Sequence, residues 1–396
     1  MKRLTACLLL LLLIGLFLTG TALAAGESIN VYNWGQYIAD GSDGYMDINK
    51  AFTEATGIEV NYMTFDSNES MYTKLKTGGS TYDVIIPSDY MIAKLIEEDM
   101  LLPINFDNVP NYRYIDEAYK NTSYDPENIY SVPYTWGTFG IIYNSRYVDE
   151  EDVGSWDLLW NEKYSGKILM FDNPRDSFAV AELLLGYSIN TEDPGELQAC
   201  ADKLIDQKYY VQSYVMDQIY DKMVRGEALI APYYAGDYLM MADENEDLAF
   251  CFPEEGFNLF IDALCIPSCC ENKEGAEAYI NFLCDPEISG NNLDYLGYST
   301  PISEAKQYMD PDTGASEIAY PTTETLANGQ AYINLSQESN QLMDSLWLSV
   351  KTAGGVGTGP VICMLAFVAL LLGWLTYRTV RDKRRKARRC AAWNNG

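Results

Sequence analysis

Between residues 28 and 98 the chain alternates short apolar runs with amphipathic stretches, and this alternation narrows the fold more than any other feature. Ile29-Asn30-Val31-Tyr32 reads as a strand. Residues 45–56 read as a helix that ends at Gly57, a residue suited to the left-handed position that closes helices. Ile58 to Met63 predicts a second strand, residues 69–75 a short helix with Asn68 as its N-cap, Asp83 to Ile86 a third strand, and residues 91–98 another helix. Such a β-α-β-α-β order implies a mostly parallel sheet covered by helices. A second set follows, with strands at 140–143, 167–170, 228–231 and 259–266 and helices at 194–206, 273–283 and 286–293, the last capped by Asp285. Two α/β lobes are expected. Ligands of such sheets sit beyond the C-terminal ends of strands, so the cleft between lobes is the expected site.

Charge removes several function classes. The chain has no histidine, which excludes Ser-His-Asp triads, Cys-His dyads and His-ligated zinc. Its formal charge of −30 argues against a nucleic-acid partner, whose phosphates need basic surface. Ten of the 27 basic residues lie at the two ends, leaving 17 against 56 acids in residues 26–355, a net of −39. Such a field attracts cations, although it also serves solubility. What remains is a carboxylate-based enzyme, a binder of cations or neutral ligands, or an interaction protein.

Residues 1–25 read as a secretory signal: Lys2-Arg3, an apolar run from Leu8 to Leu18, then Ala22-Leu23-Ala24 as a cleavage site. Residues 357–377 carry no charge and are long enough to cross a hydrocarbon core of ~30 Å. Eight Lys/Arg follow in 378–389, which the positive-inside rule places in the cytoplasm. An exported domain anchored to the outer face of the cytoplasmic membrane is expected. Six cysteines fall in the exported part; Cys265 and Cys284 read as buried thiols, and the adjacent Cys269-Cys270 pair gives a metal site little support. No cofactor or metal is expected.

Several predicted strand ends open onto aromatic and acidic residues. Trp34 and Tyr37 follow the first strand, and Ser88, Asp89 and Tyr90 the third. Asp172, Asn173 and Asp176 follow the strand ending near Phe171, and Tyr233, Tyr234 and Asp237 follow Ala231. Asp262 interrupts an otherwise apolar strand, where an ionised carboxylate is costly unless a cation or several donors meet it. Aromatic walls with carboxylate ends suit a linear cation: rings cover methylenes and attract ammonium groups, and carboxylates accept charge-assisted hydrogen bonds. The same residue types also suit a sugar, or the acid and base of a glycosidase.

The chain resembles the polyamine-binding substrate proteins of bacterial ABC transporters. The resemblance rests on Val31-Tyr32-Asn33-Trp34-Gly35-Gln36-Tyr37, Asp66-Ser67-Asn68-Glu69-Ser70-Met71-Tyr72 and Tyr82-Asp83-Val84-Ile85-Ile86-Pro87-Ser88. It continues through Val132-Pro133-Tyr134-Thr135-Trp136-Gly137, Asp262-Ala263-Leu264-Cys265-Ile266-Pro267 and Gly297-Tyr298-Ser299-Thr300-Pro301, in the right order over residues 28–335. It implies a two-lobed periplasmic-binding-protein fold, type II-like, with 26–137 and 262–307 as one lobe and 138–261 and 308–352 as the other. A spermidine- or putrescine-binding protein that delivers its ligand to a permease and ATPase is the implied function.

Carried over residue by residue, the resemblance implies aromatic walls at Trp34 and Tyr37, loop contacts at Ser88 and Tyr90, and amine-binding acids at Asp176 and Asp262, with Tyr298 in the same cleft. Tyr234 and Phe260 stand where such binders have Trp, Asn173 where they have Asp next to Asp172, and Tyr332 near a Gln position. Asp89 and Asp237 are extra acids that could compensate for Asn173, which lacks a charge. The alternatives are a same-fold protein for a sugar or other small ligand, distinguished by how many cleft carboxylates lack Lys or Arg partners, and a carboxylate-dependent extracellular hydrolase, for which no nucleophile motif is evident.

Overall fold

Ser28–Trp34 (β1) lies between Glu59–Phe65 (β2) and Val84–Ile85 (β3), parallel to both. β1 turns Ile29 and Val31 to one face, where they join Phe52, Tyr279 and Leu293, and Tyr32 to the other, where it joins Met71, Ile92 and Leu95. Helices therefore cover both faces of this wing, which is why β3 reads as a short continuous apolar run, although Asn30 and Asn33 interrupt β1. This computed structural model describes residues 27–353 and three isolated positions further on, Trp374, Arg378 and Arg381.

The remaining strands are Ser131–Asn144 (β4), Ile168–Phe171 (β5), Val211–Val215 (β6), Ile230–Tyr234 (β7), Leu248–Cys251 (β8), Phe257–Cys265 (β9) and Gly329–Gln330 (β10). The order is β2-β1-β3-β9-β4-β7-β5-β6, with β8 on β4 and β10 on β9. β1, β2 and β3 form one parallel wing, and β5, β6 and β7 another. β4 and β9 run antiparallel between them. Residues 131–138 of β4 pair with β9, and residues 139–144 pair with β7 and β8. The sheet is thus mixed rather than mostly parallel, and two strands carry the chain from one half of the molecule to the other.

The helices among the described residues are Ile48–Thr56 (α1), Asn68–Thr77 (α2), Asp89–Glu97 (α3), Pro174–Leu184 (α4), Pro194–Gln207 (α5), Ile219–Val224 (α6), Ala235–Glu244 (α7), Lys273–Leu283 (α8), Pro286–Leu296 (α9), the short Pro311–Gly314 (α10) and Thr323–Leu326 (α11), and Gln337–Thr352 (α12). α1 closes at Gly57, whose φ is 79°, and α9 is capped by Asp285, both as the sequence predicts. The cap of α2 is Ser67, one residue before the expected Asn68. Ser67 and Ser70 form a reciprocal capping box, which frees the Asn68 amide to reach the hydroxyls of Ser88 and Tyr90 at 3.1 Å each.

The chain divides into two compact units, residues 1–344 and 345–396, and the whole mixed sheet belongs to the first. Among the described residues no helix is long and apolar enough to cross a membrane. The expected signal segment, and the expected span and basic tail apart from the three isolated positions, lie outside the described residues. All six described cysteines are free, with Cys265 and Cys284 buried, and no group of His, Cys, Asp and Glu among the described residues could hold a metal.

Candidate functional site

The C-terminal ends of both parallel wings face one cleft. β1 delivers Trp34 and Tyr37, and the turn after β3 delivers Ser88 and Tyr90. From the other half, the turn after β5 delivers Asn173 and Asp176, that after β6 Met216 and Asp217, and β7 with the start of α7 Tyr233, Tyr234 and Asp237. β9 crosses between the halves and contributes Phe260 and Asp262; Tyr298 and Tyr332 complete the wall.

Asp176 is held in the first turn of α4. Asn173 caps that helix by accepting from the Asp176 amide at 2.8 Å, and its side-chain nitrogen donates to Asp176 Oδ2 at 2.8 Å. Tyr234 donates to the same oxygen at 2.6 Å and Tyr332 to Oδ1 at 2.9 Å. Burial pushes the Asp176 carboxyl above its usual range against the pull of these donors.

Asp262 is less well served. Tyr37 donates to Oδ2 at 2.7 Å, while Oδ1 is buried without a well-formed hydrogen bond. Burial pushes this carboxyl up to about 6, against the hydroxyls of Ser88 and Tyr37. Asp237 accepts from Tyr298 and is likewise pushed up to about 6, chiefly by burial. Half-buried Glu69 accepts from Tyr90 at 2.8 Å and is also raised by burial.

No Lys or Arg lines the cleft, and among the described residues none of these carboxylates is in an ion pair. Rings surround them: Tyr37 meets Tyr298 edge-on at 5.2 Å between centroids, and Tyr234 meets Phe260 at 5.6 Å. The arrangement is an aromatic-walled slot whose lining carries several carboxylates and no basic side chain, chemically suited to a cation with a hydrocarbon body.

The model of the bacterial extracellular solute-binding proteins matches residues 47–322. The chain belongs to that family. This solute-binding protein is 34% identical over 81% of its length to the spermidine/putrescine-binding periplasmic protein of Escherichia coli strain K12, covering 91% of that relative. It is 30% identical to a putrescine-binding periplasmic protein of Pseudomonas aeruginosa, over 89% of this chain and 99% of the relative. Among solved structures, it is similar to a spermidine/putrescine ABC transporter substrate-binding protein from Streptococcus pneumoniae, with 37% identity, a TM-score of 0.69, and coverage of 83% and 99% of the two chains.

The structure brings every expected site residue of this solute-binding protein to the cleft except Asp89 and Asp172. Asp89 opens α3 with its carboxylate turned onto the Tyr90 amide at 2.7 Å and buried behind β9; burial raises it to about 8. Asp172 continues the β5–β6 pairing through its amide to Val215, so strand alternation turns its side chain outward between buried Phe171 and Asn173. Glu69, Asp66, Asp217 and Met216 line the cleft but were not singled out. Glu69 lies within residues 66–72, one of the segments that carry the family resemblance, where it reads as an ordinary first-turn acid. Asp217 follows β6, a strand too polar to be recognised from its sequence.

Proposed function

We propose that this chain is the exported polyamine-binding component of an ABC importer, selecting spermidine or putrescine and delivering it to a permease driven by ATPase subunits. The observation that carries the reading is the set of cleft carboxylates, Asp66, Glu69, Asp176, Asp217, Asp237 and Asp262, with no Lys or Arg among the lining residues. A neutral sugar would leave those charges uncompensated, whereas ammonium groups pair with them. Trp34, Tyr37, Tyr90, Tyr234, Phe260 and Tyr298 enclose the methylenes, and Asp176 and Asp262 meet the amines. The names of the relatives support the same ligand class.

In this reading residues 26–137 with 262–307 and residues 138–261 with 308–352 are the lobes that close on the ligand. Residues 1–25 direct export, 357–377 anchor the protein to the outer face of the cytoplasmic membrane, and 378–396 form a cytoplasmic tail. The charge-free run next to eight basic residues supports the anchor. Deleting residues 357–396 should release the protein from the membrane fraction; retention there would defeat the anchor.

The decisive experiment is calorimetric titration of the full chain in detergent with putrescine, spermidine, spermine and a neutral disaccharide. One-to-one polyamine binding that survives moderate salt is expected. Weak, multi-site heat abolished by salt would mean that the acidic surface, and not the cleft, attracts the cation.

A further inference from the structure

Arg175 stands one residue from Asp176, yet it is absent from the cleft lining and almost wholly buried, at 4% exposure. Its Nη2 donates to Asn190 Oδ1 at 2.8 Å and to the Ile333 carbonyl at 3.3 Å. Its guanidinium carbon lies 4.6 Å from the centre of the Tyr332 ring and 5.6 Å from that of Tyr90. The two rings meet edge-on at 5.7 Å.

These are the rings whose hydroxyls hold the acids at this end of the cleft, Tyr332 on Asp176 and Tyr90 on Glu69. Arg175, Asn190 and Tyr332 all belong to the half built on β5 and β10, but Tyr90 sits in α3 of the half built on β1 and β3. The contact with Tyr90 therefore bridges the cleft, and separating the halves would break it. We propose that Arg175 is a positioning residue that couples ligand recognition at Asp176 to closure of the cleft.

The claim rests on the polyamine reading of the site and adds a residue that never touches the ligand. A guanidinium suits the task because its flat face can lie against a ring while one edge keeps its hydrogen bonds; a lysine ammonium can donate and can sit over a ring, but it lacks the planar face and the fork of donors that do both at once. Its charge does not repel the cargo directly, because the Tyr332 ring and the Asp176 carboxylate face the cleft in its place. Asp176 and Glu182 on its own helix, and Asp89 across the gap, lie within its electrostatic reach. When the halves part, Arg175 loses the Tyr90 face while its bonds to Asn190 and Ile333 remain. Closure is the state that Arg175 favours.

The test uses the full chain in detergent, with spermidine and putrescine as probes and tryptophan fluorescence in a stopped-flow instrument as the kinetic readout. Arg175→Met should raise the polyamine dissociation rate at least tenfold while changing the association rate by less than threefold. X-ray scattering should show that saturating ligand compacts the variant less than the wild type. Arg175→Lys, which keeps charge and stem and guards against a folding defect in the Met variant, should also raise the dissociation rate, by a smaller factor. Wild-type kinetics and compaction in either folded variant would overturn the coupling role, as would a loss confined to the association rate. A wild type that binds no polyamine would overturn the function and this role together, an outcome distinct from variant kinetics that match a binding wild type.

Discussion

The Tyr37 hydroxyl donates to Asp262 Oδ2 at 2.7 Å across 225 residues of sequence, and it leaves Oδ1 of the same carboxylate buried without a well-formed partner. One oxygen is thus fixed in place by Tyr37, while the other is buried without a well-formed partner at the cleft wall. Tyr37 is itself held: its carbonyl accepts from Tyr134 at 2.7 Å and from Asn33 at 3.2 Å. In the proposed role of Asp262 this fixed geometry lowers the cost of ordering the acid on binding.

Asp262→Asn tests that relationship in two directions. Polyamine affinity should fall by roughly 2–5 kcal/mol, the range for truncating one partner of a buried charge pair. The ligand-free protein should melt higher, because an amide replaces a buried carboxylate that has no counter-charge. Calorimetry and a melting curve on the same sample read both effects; unchanged affinity would remove Asp262 from the ionic contact.

The pH dependence follows from Asp237 and Asp262, both raised to about 6 by burial. In the empty protein these groups hold protons that the unfolded chain, with Asp near 3.9, has already released. Stability should therefore be greatest below about pH 4 as far as these groups are concerned. It should fall as pH rises from about 4 to about 6, by up to roughly 3 kcal/mol for each group. Polyamine binding needs the ionised forms, so affinity should rise over the same range and binding should release protons. Titrations at pH 5 and pH 7 in buffers of different ionisation enthalpy check the sign; proton uptake on binding would contradict it.

Gly236→Ala isolates closure from folding. Gly236 lies in the first turn of α7, where Ala is the better helix former by ~1 kcal/mol. A Cβ there would run into the ring of Tyr298, which belongs to the half built on β1. The variant should fold normally yet displace Tyr298 from Asp237 and lose at least tenfold in affinity. Wild-type binding in a well-folded Gly236→Ala protein would mean that this approach is not part of the bound state.

Tyr234→Phe should weaken binding modestly. It removes one of three side-chain donors to Asp176 and keeps the ring, so a loss of about 1.5–3 kcal/mol is expected, the range for a hydrogen bond to a charged group. Combining it with Tyr332→Phe in a double-mutant cycle should show coupling, since both hydroxyls serve one carboxylate.

Much of the local structure was legible because its causes are local. β1, the left-handed stop at Gly57 and the Asp285 cap depend on residues within a turn or two of each other. β4 was recognised only over 140–143, because Pro133 and Gly137 make its first half read as irregular. That segment is a strand because β9, well over 100 residues away, pairs with it, with an irregularity between Pro133 and Thr135 that absorbs the break.

Asp89 and Asp262 draw the same line through the candidate site. Asp262 interrupts an apolar strand and reads from sequence as an acid that meets an amine, whereas Asp89 reads only as an extra acid beside Ser88 and Tyr90. By itself the sequence determined the strand ends, their aromatic and acidic residues, and the excess of negative charge. Only the tertiary structure decided that Asp262 faces the cleft while Asp89 turns behind β9, and that Arg175 reaches Tyr90 in the other half. The reason is physical: strand register and helix phase set where a side chain points, and register here depends on pairings between segments far apart in the chain.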